Sequence, residues 1–335
     1  MKKILSVIAA AVLSAVCAFA VAGCKNSENK LKVFVPDGAP ALSVAGINQT
    51  EADKYFTVSA VAAATINTYV TGDNPQADVA VLPVNAAVKL LGDGKNYKML
   101  GTVTHGNLFL MKKPTETDIA TPADLSKLTG KTVGVINLVN VPGLTFKALL
   151  KDNGIEFNEL KDGAAVDPDK VNLKNVTAQE AAPVNADCQY FIVPEPAAST
   201  KAAVTQGKLS FAGNIQTLYG GEGGYPQAVA VAKASVISSS KKQISALLDS
   251  FTFTEGWLKA EDTSPEQIVS AVGAMLSGDI SPTFTAANLT RTVISNCGIR
   301  FVSAAESKTE ILAYMQKLNG VSANAWGTPA DAFFG

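Results

Sequence analysis

Four short stretches of the sequence combine proline or glycine with polar side chains where an apolar strand pattern gives way to a helix pattern. They are residues 37–41, 82–85, 137–145 and 194–197. Ligands bind beyond the carboxyl ends of parallel strands, where amides of the next helix point outward, so these joins predict the walls of one ligand site. The candidate contacts in them are Asp37, Gly38, Ala39, Pro40, Pro83, Asn85, Asn137, Asn140, Pro142, Gly143, Leu144, Thr145 and Glu195.

The third join, residues 137–145, is the most informative. Pro142 lies near the first helical position, where its missing amide would have no intrahelical partner. Gly143 lets a ligand approach the backbone without a Cβ in the way. Amides of residues 143–145 offer donors to an anion or a carbonyl group at the positive end of the helix. The alternative is structural: Asn140 caps the helix, and the Pro-Gly pair shapes the turn.

Three further candidates lie outside the joins. His105, the one histidine of the chain, interrupts a long apolar strand and can hydrogen-bond a ligand through either ring nitrogen. The alternative is a satisfied structural histidine. The stretch LYGGEGGYPQ, residues 218–227, has four glycines that suit a hinge, and Tyr219 and Tyr225 in it can form aromatic walls. An exposed loop is the alternative for this stretch.

The charged residues constrain the ligand class. Glu195 and Glu222 would favour a ligand with an amine or ring N–H if they face the site, and solvated surface glutamates are the alternative. Arginine is the usual bidentate clamp for oxyanions, but Arg291 and Arg300, the two arginines of the chain, lie outside every join. We therefore expect a small neutral or zwitterionic organic ligand that contains nitrogen, although helix ends can bind anions unaided.

Composition excludes several other functions. With 28 Lys+Arg against 29 Asp+Glu, the sequence has no nucleic-acid footprint. With a single histidine, the chain has no Cys/His spacing typical of a metal site, and a histidine-dependent catalytic triad could form only around His105. We therefore expect no metal, no cofactor and no catalytic residue. Cys188 and Cys297 lie in apolar segments in different parts of the chain, which favours buried free thiols over a disulfide.

The N-terminal segment predicts export. Lys2 and Lys3 precede an apolar run over residues 4–22, and small residues lead into Cys24. A basic start, an apolar core and a small-residue cleavage site are typical of a secretory signal peptide. An uncleaved membrane anchor is the alternative, since the run approaches the ~20 residues that a membrane span needs. The polar residues 24–30 predict a flexible tether.

Alternating strand and helix patterns must position the candidate residues. Such patterns fill residues 31–113 and then residues 121–204, which predicts an α/β fold with mainly parallel sheets in two units. Extended stretches near 103–112 and 222–232 predict two crossings between the units. Beyond residue 238 the pattern is helical.

The order of these elements resembles type II periplasmic binding proteins, the solute receptors of bacterial ABC importers. The stretches DVAVLPVNAAVKLL, GTVTHGNLFLMKK, LSKLTGKTVGVI and YFIVPEPAAST are similar to the branch that includes nitrate, sulfonate, taurine and thiamine-precursor receptors. The resemblance implies two lobes, each a mainly parallel sheet flanked by helices, joined by two hinge crossings. Residues 21–24 resemble a bacterial lipobox, whose cysteine, here Cys24, receives a lipid.

The resemblance also suggests how the chain is divided. We expect a lipoprotein signal peptide at residues 1–23 and a tether at 24–30. Residues 31–107 and 226–335 would form lobe 1, and residues 108–225 would form lobe 2. The ligand would lie in the cleft between these lobes.

The function implied is that of an extracytoplasmic, lipid-anchored substrate-binding protein. It would be a monomer that captures a small organic solute and delivers it to an ABC permease and its ATPase, at the outer face of the cell membrane or in the periplasm. An enzyme on the same scaffold is one alternative, similar to menaquinone-pathway dehydratases or thiamine-pyrimidine synthases. The export signal and the single histidine argue against it. A sensory or structural surface lipoprotein is the other alternative.

Overall fold

The computed structural model describes residues 30–161, 163–278, 280–322 and 326–335. Leu31–Gly335 form one compact unit. The predicted signal peptide and lipobox, including Cys24, lie outside the described residues, as does most of the predicted tether. Among the helices that the structure describes, none is both long enough and apolar enough to cross a membrane.

The described chain contains strands and helices in alternation. The strands are β1 (Leu31–Pro36), β2 (Phe56–Val61), β3 (Val79–Pro83), β4 (Tyr97–Thr104), β5 (Leu108–Lys112), β6 (Thr132–Ile136), β7 (Phe157–Glu159), β8 (Val171–Val176), β9 (Tyr190–Pro194), β10 (Ser210–Asn214), β11 (Ala228–Lys233) and β12 (Ile299–Ser303). The helices are α1 (Ala39–Leu42), α2 (Val84–Leu91), α3 (Val141–Asp152), α4 (Ala197–Val204), α5 (Ile215–Gly220), α6 (Ala234–Ser239), α7 (Lys241–Lys259), α8 (Pro265–Gly273), α9 (Arg291–Asn296) and α10 (Ala304–Val321).

The strands form two sheets of six. The first has the order β2-β1-β3-β11-β4-β12, and the second has the order β7-β8-β6-β9-β5-β10. We call the elements around the first sheet the first lobe and those around the second sheet the second lobe. The chain enters the second sheet between β4 and β5 and returns to the first between β10 and β11. The predicted lobe boundaries, at 107/108 and 225/226, lie at these crossings. We retain this assignment of residues to lobes as a proposal.

The two-lobed α/β class is confirmed, and both sheets are mixed. β1 pairs in parallel with β2 and β3, and β6 pairs in parallel with β8 and β9. The antiparallel pairings involve β4, β5 and β11, which flank the crossings. A helix between two strands of one sheet favours parallel pairing, whereas a strand that enters from the other lobe is free of that constraint.

The region after residue 238 is less uniformly helical than expected. β12 is a five-residue strand at the edge of the first sheet, paired with β4. Residues 284–290, predicted from the sequence to begin a helix, precede α9 and are not helical. A short edge strand and an irregular segment give little periodicity, so helix patterns on both sides dominate the sequence signal.

Buried apolar residues connect the lobes as well as filling them. In β1, Val33 and Val35 are fully buried and alternate with less buried residues, as a half-buried strand requires. One cluster of buried residues includes members of both sheets, of α3 and of α10. The last helix therefore follows a strand of the first lobe but packs on α3 of the second, where Thr145 Oγ1 lies 2.6 Å from the Tyr314 hydroxyl.

The thiols agree with the sequence expectation. Cys188 and Cys297 are free and buried. Cys188 belongs to an apolar cluster of the second lobe, and Cys297 belongs to one of the first lobe. Burial raises the pKa of both thiols, to about 11 for Cys188.

The start of α3 shows why the chain needs a glycine at this join. A Cβ on Gly143 would lie 1.9 Å from the carbonyl oxygen of Leu138, within the same loop. Asn137 takes a positive φ of 61°, a conformation that asparagine tolerates. Asn140 precedes the helix without capping it through its side chain. The approach of the loop to the helix therefore accounts for Gly143, and ligand access is not needed to explain it.

Replacing Gly143 by alanine should destabilise the fold. The new Cβ must displace the Leu138 backbone, and we expect the free energy of unfolding to fall by about 1–3 kcal/mol. Gly256, inside α7, has no atom within 4 Å of a Cβ position, so Gly256→Ala should raise it by up to about 1 kcal/mol. Equilibrium urea unfolding of both variants measures the difference. Equal stability of the two would contradict the close approach at Gly143.

Candidate functional site

One of the four joins lines a groove between the lobes, and a second is hydrogen-bonded to a residue of the opposite wall. This interlobe groove has a volume of about 480 Å³. Its second-lobe wall comes from the fourth join, from α4 and from the segment after β8, and its first-lobe wall comes from the segment before α9. The lining residues are Ala178, Gln179, Pro196, Ala197, Thr200, Lys201, Val204, Thr283 and Asn288.

The first join reaches the groove through Thr283. The backbone amide and the hydroxyl of Thr283 both donate to Asp37 Oδ2, at 2.9 and 2.7 Å. The other carboxylate oxygen of Asp37 accepts from the amide of Gly38 at 2.9 Å. Asp37 therefore fixes the position of a groove residue and is itself occupied by protein donors. Thr283 was missed in the sequence because its partner lies 246 positions away.

The groove offers one cation and several neutral hydrogen-bonding groups. The Lys201 amine donates to the carbonyl oxygen of Ala178 at 2.8 Å, and burial lowers its pKa. Gln179 and Asn288 add side-chain amides to the lining. Among the residues that line the groove in the described structure, there is no carboxylate. This arrangement suits an acidic group of a ligand better than an amine, and the sequence reading did not single out Lys201.

Glu195 connects the lobes instead of facing the groove. Its side chain is 3% exposed. Oε1 accepts from the Ser199 hydroxyl at 2.7 Å and from Asn296 Nδ2 at 2.8 Å, and Oε2 accepts from the Ser199 amide at 3.1 Å. These donors satisfy a charge that would otherwise be costly to bury. We expected Glu195 to attract a ligand amine, but its carboxylate is not placed for that role in this structure. Asn296, its partner in the first lobe, was missed in the sequence.

The second and third joins do not line the groove. Next to Pro83, the Val84 amide donates to Gln227 O at 3.0 Å, and Asn85 is buried. The amide of Leu144 is also unavailable to a ligand, because it donates to Asn140 O at 2.9 Å.

Other residues of the joins differ in exposure. Asn137 and Asn140 are exposed. Thr145 is fully buried, and its hydroxyl donates to Val141 O at 2.6 Å. Ala39 is buried, and Pro40 and Pro142 are partly buried.

The two candidate tyrosines pack between the lobes. Tyr225 is fully buried and stacks on Tyr314 of α10, with ring centroids 5.7 Å apart and an interplanar angle of 24°. Tyr219 meets both rings edge-on, at 5.5 and 5.7 Å. The three rings fill the space between α5 and α10, so in this conformation Tyr225 presents no wall to a ligand. The side chain of Glu222 lies outside what the structure describes.

His105 lies in a different place from the groove. It lines a cavity of about 320 Å³ beside the two crossings, which we call the hinge cavity. His105 is 4% exposed, and neither ring nitrogen has a hydrogen-bond partner in the described chain. Arg300 of β12 lines the same cavity. This arrangement differs from the satisfied structural histidine considered as the alternative, because both ring nitrogens lack a partner among the described residues.

Three glycines position the histidine. A Cβ on Gly224 would lie 2.2 Å from the carbonyl oxygen of His105, and one on Gly298 would lie 2.4 Å from that of Gly106. A Cβ on Gly106 would lie 2.7 Å from the Tyr225 ring. All three have positive φ angles. The first crossing is thus held between two other segments at a distance that only glycine allows.

The buried histidine should make stability depend on pH. Burial, and then the charge of Arg300, lower the pKa of His105 to about 3. The unfolded chain takes up a proton at this side chain below pH ~6.5, whereas the folded chain does not until about pH 3. Acidification from pH 6.5 towards 3 therefore favours unfolding, by up to about 1.4 kcal/mol for each pH unit.

Thermal unfolding of the wild type and of His105→Gln across this pH range tests the effect. The variant contains no histidine, so the difference between the two curves isolates the imidazole from Glu255, Lys259 and Arg300, which also line the cavity. We expect the stability of the wild type to fall relative to that of the variant as the pH drops. A difference that is constant from pH 7 to pH 4 would contradict the burial of a neutral His105.

Comparison with known proteins gives a consistent fold. No protein-family model and no curated protein sequence matches the chain. An ABC transporter structure from Parabacteroides distasonis superimposes with a TM-score of 0.68 at 18% identity, covering 91% of this chain and 98% of that one. The periplasmic aliphatic sulphonate binding protein SsuA from Escherichia coli gives a TM-score of 0.59 at 13% identity, covering 91% and 92%.

A third structure extends the likeness. The periplasmic nitrate-binding protein NrtA from Synechocystis PCC 6803 gives a TM-score of 0.54 at 11% identity, covering 86% of this chain and 80% of that one. Identities this low establish similarity of fold and leave the ligand open. The chain therefore has the two-lobed α/β fold of type II periplasmic binding proteins, as the sequence resemblance implied.

Proposed function

We propose that the chain is the extracytoplasmic, lipid-anchored substrate-binding protein of an ABC importer. It captures a small organic solute in the interlobe groove and delivers it to a membrane permease and its ATPase. The two-lobed fold supports this function, and so does the lipobox-like sequence that ends at Cys24. The protein acts as a monomer at the outer face of the cell membrane or in the periplasm, without a cofactor and without nucleic acid.

The observation that carries the proposal is that the groove has walls from both lobes. Thr283, held by Asp37, belongs to the first lobe, and Pro196 and Lys201 belong to the second. A ligand that contacts both walls binds best when the lobes are close together. It therefore shifts the population towards the closed state that a permease can recognise.

The chemistry of the groove suggests a class of solute. Lys201 supplies a positive charge, and Gln179 supplies a neutral donor and acceptor. The side chains of Thr283 and Asn288 are already bonded within the first lobe and add polar surface to the opposite wall. Alanine, proline and valine side chains form the remaining wall. We infer a small zwitterionic or acidic organic molecule, with an acidic group near Lys201 and a short apolar part. A zwitterionic ligand was also expected from the sequence. From the sequence we expected Glu195 to select a ligand amine, whereas we now infer that Lys201 selects an acidic group of the ligand.

A ligand screen with a charge variant tests this function. The full chain, stripped of bound solute by unfolding and refolding, is screened by thermal unfolding against sulfonates, carboxylates, amino acids, amines, nitrate and pyrimidines. A ligand at 100-fold over its Kd should add about 2.7 kcal/mol and raise the midpoint by a few degrees. Calorimetry on Lys201→Gln should then show affinity for that ligand reduced about 10- to 100-fold, because one charge-assisted hydrogen bond is lost.

Lys208→Gln is the matched control. Lys208 is exposed, lies just beyond α4 and does not line the groove, so its removal takes away the same charge without touching the ligand. Its affinity should equal that of the wild type. If no acidic or zwitterionic compound binds, or if Lys201→Gln binds the ligand as tightly as Lys208→Gln does, the proposed groove chemistry is wrong.

The lipid anchor has a separate test. Cys24→Ala, expressed as the full chain in bacterial cells fed radiolabelled palmitate, should lose the label and leave the detergent-soluble membrane fraction. Cys17→Ala is the control, since Cys17 lies inside the apolar run and is not the lipobox residue. Label retained by Cys24→Ala, or lost equally from both variants, would refute lipidation at Cys24.

A further inference from the structure

The hinge cavity brings together residues that are far apart in the chain. Its walls come from the first crossing, from α5 and the glycine-rich turn after it, from the end of α7, and from the segment that joins α9 to β12. The polar groups among them are His105, Asn214, Gln216, Thr217, Glu255, Lys259, Ser295, Asn296 and Arg300. The cavity shares no lining residue with the interlobe groove. It is thus a separate concave site with contributions from both lobes.

Polar atoms without hydrogen-bond partners in the described structure belong to two side chains that line this cavity. Both ring nitrogens of His105 lack partners in the described chain, although the side chain is almost fully buried. Arg300 donates from Nη2 to the carbonyl oxygen of Gly223 at 3.1 Å, but its buried Nε has no partner among the described residues. Buried polar groups are nearly always hydrogen-bonded, since an unpaired donor loses its water without compensation. Both side chains line one cavity, so a ligand bound there is one way to complete their bonds.

The charges around the cavity favour an anion. Arg300 and Lys259 are cationic, and Glu255 is already bound to Lys259 Nζ at 2.7 Å and to the amide of Phe301 at 3.3 Å. Glu310 of α10 interacts electrostatically with Arg300 from outside the cavity lining. The free Nε of Arg300 is a donor that cannot lose its charge, which suits an oxyanion.

The histidine adds a second type of contact. His105 is neutral at pH 7, because burial and Arg300 lower its pKa to about 3. A neutral imidazole donates through one nitrogen and accepts through the other. It can therefore donate to an anionic oxygen, and it can accept from a hydroxyl group or proton that the same ligand carries.

We propose that the hinge cavity is a second ligand site, which binds a small oxyanion through Arg300 and His105. The volume of about 320 Å³ is at the lower end for small-molecule sites. Sulfate, phosphate and acetate share the required chemistry and serve as probes that separate sulfur, phosphorus and carboxylate oxyanions. The site shares no lining residue with the groove and does not require a particular transported solute.

Since the chain has one histidine, its imidazole provides a direct readout. Tag-free full chain labelled with ¹⁵N-histidine is titrated with each anion at constant ionic strength, with chloride as the reference salt. We expect at least one of the three anions to shift the His105 nitrogen resonances saturably. This readout matters because sulfate and phosphate stabilise proteins generally, without a specific site.

Two variants assign the binding to the cavity. Arg300→Gln should weaken the anion about tenfold or more, as expected for the loss of one charge-assisted hydrogen bond. Arg300→Lys keeps the charge but cannot both contact Gly223 and replace Nε, so it should also bind more weakly. If Arg300→Gln does not fold, as judged by its His105 resonances without anion, Arg300→Lys decides the question.

Lys201→Gln is the control that separates this site from the groove. It should retain anion binding at His105 even though it disrupts the proposed solute site. If no anion shifts the His105 resonances beyond the chloride reference, or if both Arg300 variants bind as the wild type does, the second site is refuted. If Lys201→Gln abolishes the shift while the Arg300 variants retain it, the anion binds in the groove, and the proposal fails without affecting the transport function.

Discussion

The close packing of three backbone segments at the first crossing is the constraint on which the rest of the structure depends. The carbonyl groups of His105 and Gly106 approach Gly224 and Gly298 so closely that neither position has room for a Cβ. These contacts fix where the chain leaves the first sheet and where it returns. They therefore set the relative position of the sheets, and with it the width of the interlobe groove. The same contacts bury His105 beside Arg300, which creates the hinge cavity.

Two carboxylates that resemble ligand contacts in the sequence serve this geometry instead. Asp37 holds Thr283 on the first-lobe wall, and Glu195 holds Asn296 across the boundary between the lobes. A buried carboxylate with several donors is a good connector, because losing any one partner leaves a charge that is poorly solvated. In the proposed function, Lys201 and neutral groups of the groove recognise the solute.

The sequence predicted the parts that depend on local pattern. The alternating strand and helix patterns predicted the α/β fold, and Pro196 of the Pro-Glu-Pro turn at 194–196 lines the interlobe groove. Thr283, Asn296 and Arg300 could not be found in this way, because each acquires its role from partners more than 70 positions away. The sequence around a glycine likewise does not show why a side chain is excluded there. Gly143 therefore suggested ligand access, although the close approach of the preceding loop is what requires a glycine.

Asn296 connects the two sites physically. It lines the hinge cavity, and its side chain donates to Glu195, which directly precedes Pro196 of the groove. If both proposed sites bind a ligand that contacts both lobes, each ligand favours the lobe arrangement in which its own contacts are complete. If the two sites favour the same arrangement, binding at one raises affinity at the other by a factor that must be equal in both directions. If the two sites favour different arrangements, binding at one lowers the affinity at the other, again by a factor that is equal in both directions. The Glu195–Asn296 hydrogen bond joins a residue next to the groove to a residue that lines the hinge cavity, so it is one contact that can transmit such coupling.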